Sequence, residues 1–161
     1  MTKEQFKILF DLYFETIRRY LYYRSGDEAL STDLAQDTFM RIWEKELQLL
    51  PGKDTGLLYK IAGDLFVSHT RREKLRMEGP DRIRFEQTGR TPEEELQFQE
   101  LQEKYEKALM KLPENQRIVF LMSRMEELTY PEIAARLSLS VKAVEKRMTG
   151  ALSRLRKEIK T

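Results

Sequence analysis

Between Ser140 and the end of the chain stand Lys142, Lys146, Arg147, Arg154, Arg156, Lys157 and Lys160, opposed only by Glu145 and Glu158. Cations at this density neutralise phosphates by displacing counterions, an attraction indifferent to base sequence and sensitive to salt. Spacing divides them into two uses. Val144, Met148, Ala151, Leu152 and Leu155 recur at helical intervals and point inward, which leaves Lys142, Glu145, Lys146, Thr149 and Ser153 on the opposite face. Polar side chains on the first turns of such a helix are the groups that meet base edges in a major groove. Lys142, Glu145, Lys146 and Thr149 are therefore candidates for reading bases, and Arg147, Arg154 and Arg156 for gripping flanking phosphates.

Elsewhere the supply of reactive groups is thin. His69 is the only histidine, and its place four residues after Leu65 reads as a partly buried helix position or a phosphate contact rather than a proton carrier. Asp33 and Asp37 stand one helical turn apart, but without a histidine or a further acidic partner they make a poor metal site. Cysteine is absent, which removes disulfides and Cys-based zinc sites and fits a reducing compartment. No glycine pattern cradles a phosphate and no serine sits in a nucleophile context. The expectation is a protein without catalytic residues, metal or cofactor, and an enzyme built on a helical bundle is the weaker alternative.

The elements that must carry these groups all read as helices. Phe6, Leu9, Phe10, Tyr13, Ile17 and Leu21 predict an amphipathic first helix that Gly26-Asp27 ends. A second is expected from Ser31 or Thr32, either able to cap it, with Leu34, Ala35, Phe39, Ile42 and Trp43 inward until Pro51-Gly52 breaks it. A third begins after Asp54-Thr55, places Leu58, Ile61, Ala62 and Leu65 on one stripe, and turns basic at Arg71, Arg72, Lys74 and Arg76. Periodicity then lapses over residues 77–90, where Gly79, Pro80 and Gly89 mark a flexible linker. Thr91-Pro92-Glu93-Glu94 supplies a cap, a proline at the first helical position and a capping-box glutamate for a helix running to Leu112. Another covers Glu114 to about Met125 and turns Ile118, Leu121, Met122 and Met125 inward. A second capping box, Thr129-Tyr-Pro-Glu132, precedes Ile133, Ala134 and Leu137. The short Ser138-Leu139-Ser140 turn and the long last helix complete a helix-turn-helix pattern. The expected fold is all-α: an amino-terminal helical bundle (1–76), the linker (77–90) and a carboxy-terminal helix-turn-helix domain (91–161).

Charge follows the same division. Residues 1–95 hold 16 Lys/Arg against 18 Asp/Glu, whereas residues 96–161 hold 13 against 9, so a formal net charge of +2 conceals a basic second half suited to a polyanion. No apolar run approaches membrane-spanning length and the amino terminus lacks the pattern of a targeting segment, so the expected location is the cytoplasm.

Three stretches in the second half, Leu112-Pro-Glu-Asn-Gln-Arg117, Glu132-Ile-Ala-Ala-Arg-Leu137 and Ser140-Val-Lys-Ala-Val-Glu145, resemble the carboxy-terminal domain of bacterial sigma factors. Upstream, Asp33-Leu-Ala-Gln-Asp-Thr-Phe-Met-Arg-Ile-Trp43 and Leu58-Tyr-Lys-Ile-Ala62 followed by Arg71-Arg72 resemble the same family's core-binding and minus-ten segments. Order and spacing match, and the short join resembles the compact extracytoplasmic-function class of the sigma-70 family. The resemblance implies that Asp33, Gln36, Asp37, Met40 and Glu44 dock on the clamp helices of the largest subunit of RNA polymerase, with a further contact to the flap of the second-largest subunit. It also implies that residues 51–56 with Lys60, Asp64, Ser68, His69, Arg71 and Arg72 hold melted minus-ten DNA, and that the last helix, through Lys142, Glu145, Lys146, Arg147, Thr149 and Arg154, binds the minus-thirty-five duplex.

Leu57, Asp64 and Ser68 depart from the family's usual aromatic residue, asparagine and aspartate. An ionised aspartate accepts hydrogen bonds but cannot donate them, so the base edge it holds should differ. An inhibitory anti-sigma partner is common in the family, and no residue identifies one here. The rival reading is a duplex-binding regulator whose amino-terminal bundle senses a signal or dimerises.

Overall fold

The structure, a computed structural model, describes residues 1–73, 83 and 91–160, with the backbone alone at Lys160. Among the described residues there are seven α-helices and no strand: α1 (Lys3–Ser25), α2 (Glu28–Glu44), α3 (Thr55–Glu73), α4 (Pro92–Lys111), α5 (Glu114–Met125), α6 (Tyr130–Leu137) and α7 (Val141–Lys160). Lys74, Arg76 and the expected linker, Ile83 excepted, lie outside the described residues. Ile83 itself is fully buried, so at this position the segment read as a flexible linker contributes to the core.

Helices α1, α2 and α3 pack together. Leu9, Ile17, Leu21, Leu34, Ala35, Phe39, Ile42, Leu58 and Ala62 are buried between them. Phe39 stands among Phe6, Phe10 and Phe14 with ring centroids 6.4, 5.2 and 5.9 Å away, so an aromatic cluster fixes α1 against α2. Gly26 ends α1 in the left-handed conformation at φ 69°, which a residue without Cβ adopts freely, and its N–H returns to the Tyr22 carbonyl. Asp27 then caps α2, its side chain accepting from the Leu30 N–H. The helix thus starts earlier than Ser31 or Thr32. Those hydroxyls instead donate back to the Asp27 and Glu28 carbonyls at 2.6 and 3.1 Å, the competing use open to a hydroxyl inside a helix. α2 also ends well before Pro51, at Glu44, because Glu46 takes a positive φ of 52°. Trp43, expected inward, is 41% exposed at the rim of the bundle.

In the second group, α7 packs on α4, α5 and α6. Leu109, Val119, Leu121, Met122, Ile133, Val144 and Ala151 are buried there, whereas Met125, expected inward, is exposed. At Thr91 the hydroxyl accepts from the Glu94 N–H at 3.3 Å, which is the forward half of the expected box. The whole of α5 from Arg117 to Met122 is buried because α1 covers the side that α7 leaves free.

The two groups therefore touch. Arg117, 5% exposed, donates from Nε to the Tyr23 carbonyl and from Nη2 to the Arg24 carbonyl, both at 2.7 Å, and from Nη1 to Leu112 O at 3.2 Å. Burial lowers its pKa from the usual arginine value, and the nearby Glu114 opposes that shift. Arg19 pairs with Glu126 at 2.6 Å, the Tyr23 hydroxyl donates to the same carboxylate at 2.8 Å, and Arg24 pairs with Glu114. Desolvation, reinforced by Glu126, drives the Tyr23 phenol well above its ordinary range.

Candidate nucleic-acid interface

The most clearly built candidate surface is formed by α6 and α7. Glu132 accepts from the Thr129 N–H at 3.0 Å while the Thr129 hydroxyl accepts from the Glu132 N–H at 3.3 Å, a reciprocal box that fixes where α6 begins. The Thr129 backbone bond, then its hydroxyl, holds the Glu132 carboxyl below its usual range. α6 stops at Ser138, which takes φ 57°, and the Leu139 N–H returns to Ala134 O at 2.9 Å. Ser140 Oγ then accepts from the Ala143 N–H at 3.1 Å and starts α7. Two short capping systems thus set the angle between the helices without a long loop.

On α7, Val144, Met148, Ala151 and Leu155 are buried, and Lys142, Glu145, Lys146, Thr149 and Arg154 are exposed as expected. Among the described residues no ion pair engages Lys142, Glu145, Lys146 or Arg154, so their hydrogen-bonding capacity is available to a ligand. Arg147 differs from its neighbours. It is half-buried and lines a groove with Tyr20, Arg24, Glu114, Asn115, Ile118 and Leu137, facing the first helical group rather than open solvent.

The α3 candidates are less uniform. Lys60 and Asp64 pair at 3.0 Å one turn apart, each side chain 65% exposed. Ser68, Arg71 and Arg72 are exposed and His69 is half-buried. The loop before α3 is anchored. Gly52, at φ 77°, donates to the Tyr13 hydroxyl at 2.7 Å, and the Leu50 N–H donates to Asp54 at 2.7 Å. Leu50 in this loop and Leu57 in the first turn of α3 are more than two-fifths exposed. On the other side of α3, Tyr59 is buried and lines a groove with Arg136 of α6. Burial pushes its phenol up to about 12, with Arg136 pulling the other way.

A third surface lies on α2, where Asp33, Gln36, Asp37, Met40 and Glu44 are all exposed. Sequence reasoning missed its apolar end. Met40 and Glu44 line an open, mostly apolar groove with Lys3, Phe6 and Trp43, and the Phe6 and Trp43 rings stand 5.1 Å apart. It also missed the contacts of Arg19, Tyr23, Arg117, Glu126 and Arg136 across the two groups. The available signal was Arg117 itself, a lone cation entering the apolar run Ile118 to Met122 at a position that a packed helix must bury. The three candidate surfaces remain separate, on α2, on α3 and on α7.

Comparison with known proteins adds family likeness. The family model described as Sigma-70, region 4 matches residues 102–155, which run from within α4 through α5 and α6 into α7. The ferric citrate uptake sigma factor FecI of Escherichia coli is 32% identical over 123 residues, covering 74% of this chain and 70% of that protein. The ECF RNA polymerase sigma factor SigE of Mycolicibacterium smegmatis is 30% identical over 145 residues, covering 88% of this chain but only 56% of that protein's length. Among solved structures, the sigma factor RpoE of Bartonella quintana, in complex with the anti-sigma factor NepR, shares the fold with a TM-score of 0.71. It is 24% identical, and each chain is covered to 97%.

Proposed function

Since the chain belongs to the sigma-70 family, in its extracytoplasmic-function group, we propose that it binds core RNA polymerase and directs promoter-specific initiation. The observation that carries this reading is the α6–α7 unit, whose two caps present Lys142, Glu145, Lys146 and Thr149 on an exposed face without competing partners among the described residues. In this reading residues 91–161 seat α7 in the major groove of the upstream element, and Arg154 grips phosphate. Residues 1–76 dock on polymerase through Asp33, Gln36, Asp37, Met40 and Glu44. Acidic and amide groups beside an apolar groove suit a partner surface that is basic with an apolar knob, which favours encounter and register. α3, with Lys60, Asp64, Ser68, His69, Arg71 and Arg72, holds the melted downstream strand. Opening is then driven by preferential binding to the unpaired form, not by chemistry on the protein, so the chain acts without being an enzyme.

Among the described residues no helix is long and apolar enough to cross a membrane. The proposed location is the cytoplasm, where polymerase works. An inhibitory anti-sigma partner belongs to the reading by analogy with the NepR complex.

In vitro transcription with purified core polymerase on fragmented genomic DNA tests the proposal. Discrete start sites are expected with the chain and absent without it; failure to produce any would sink the reading. Substituting Asp33, Asp37 and Met40 together should abolish initiation while duplex binding persists, the outcome that separates this function from a conventional regulator.

A further inference from the structure

Two grooves adjoin where α1 and α3 face α5, α6 and α7. One, of about 430 Å³, holds Arg24, Glu114, Asn115 and Arg147; the other, of about 330 Å³, holds Arg24, Lys60, Asp64 and Arg136. Tyr20, Arg24 and Leu137 line both, so the grooves share a wall. Volumes of this order suit a small ligand.

The charges in the grooves do not balance. Arg24 pairs with Glu114, and Lys60 pairs with Asp64 at 3.0 Å. Arg147 is left over in the first groove and Arg136 in the second, and among the described residues neither makes an ion pair. Both are half-buried, so each has lost part of its hydration without gaining a carboxylate. The shared wall carries a donor with the same deficit. The Tyr20 hydroxyl accepts from Arg24 Nη1 at 3.1 Å, yet among the described residues no acceptor takes its own hydrogen, although Tyr20 is only 6% exposed. Gly63 permits this arrangement, since a Cβ there would stand 2.9 Å from Arg24 Nη1 and 3.2 Å from the Tyr20 hydroxyl oxygen. The exposed Asn115 adds an amide that is also unengaged among the described residues.

Donors without acceptors in partly dehydrated grooves favour an anion, and two planar guanidinium forks match two phosphoryl groups better than they match a single carboxylate. We propose that the paired grooves bind a diphosphate, free or at the end of a nucleotide. Arg147 and Asn115 hold one phosphoryl group, Arg136 holds the other, and the Tyr20 O–H donates to an oxygen between them. Glu114 and Asp64 stay with Arg24 and Lys60, which screen them from the anion. This site is distinct from the exposed face of α7 and needs no nucleic acid.

Calorimetric titration of the full chain with inorganic pyrophosphate, in the absence of divalent cations, tests the site. Saturable binding is expected, at least about tenfold tighter than that of orthophosphate, because only the diphosphate reaches both guanidiniums. Arg147→Gln and Arg136→Gln should each weaken it about tenfold, the loss expected for one charge-assisted partner. Tyr20→Phe, which keeps the ring, should weaken it about threefold. Lys107→Gln removes the same charge from an exposed position outside both grooves and should change affinity by less than about twofold. Arg147→Lys keeps the charge, loses the fork, and should fall between wild type and Arg147→Gln, a comparison that survives if the glutamine variant does not fold. Adenosine diphosphate and adenosine separate the two sources. Equal affinity for pyrophosphate and adenosine diphosphate assigns the diphosphate alone, and tighter binding of adenosine diphosphate with none of adenosine assigns a nucleotide. Absence of saturable pyrophosphate binding overturns the site. So does equal weakening by Lys107→Gln and Arg147→Gln, which marks diffuse attraction to a basic surface, and so does orthophosphate or adenosine binding as tightly as the diphosphates.

Discussion

α7 and α3 both present basic and polar side chains to solvent, yet they are held differently. On α7 the candidate readers Lys142, Glu145, Lys146 and Thr149 share one free face, fixed by the Thr129–Glu132 box and the Ser140 cap. On α3, Lys60 and Asp64 neutralise one another, and the helix is flanked by α6 along its first half. On the proposed reading, in which α7 meets duplex and α3 a single strand, preorganisation explains the contrast. A duplex is a rigid ligand and rewards a rigid face, whereas a single strand exists only after opening, so its receptor can remain conditional until then.

The most disruptive way to break this comparison is to remove the support of α7. Ile133 is fully buried against it, and Ile133→Ala should cost about 2–5 kcal/mol by lost transfer energy and a residual cavity. A thermal melt should show the loss, and duplex binding should fall with it. Persistent binding at native affinity would mean that α7 does not depend on the α6 scaffold. Next in size is the reading itself. Lys146→Ala should relax preference at one base position by about 1–3 kcal/mol, measured across permuted duplexes. Arg154→Glu should weaken all sequences alike and flatten the dependence on salt.

A smaller effect tests the cap. Thr129→Ala should cost about 1 kcal/mol in denaturant unfolding. Its pH signature follows from the depressed Glu132 carboxyl. A carboxyl whose folded-state pKa is lowered stabilises the fold above its unfolded value and loses that contribution as pH falls through the folded one. Wild type should therefore lose more stability than Thr129→Ala as the medium is acidified through and below the ordinary glutamate range. The smallest effect concerns α3. Lys60→Ala removes an exposed one-turn pair and should change stability by under about 0.5 kcal/mol, so any loss of strand binding reports contact rather than folding. A large shift in the melt would instead make Lys60 a structural residue.

Much of the second half was legible because its signals are local. Thr129, Glu132, Ser138 and Ser140 act on backbone groups within a few residues, and the apolar period of α7 needs only its own helix to be read. The first half was legible in outline and misread at its joints. Ser31 and Thr32 look like caps until Asp27, beside a left-handed Gly26, is seen to fill that role. Trp43 looks like core until the bundle ends beneath it.

The sequence by itself determined an all-helical chain, its family, and the exposed face of α7, because helical period and capping are encoded at separations of three or four residues. Only the tertiary structure decided that Arg117 reaches the carbonyls of α1, that Glu126 gathers Arg19 and Tyr23, and that Arg147 turns inward. Those contacts join residues about a hundred positions apart, and nothing in the period of either helix records which distant carbonyl a buried guanidinium will meet.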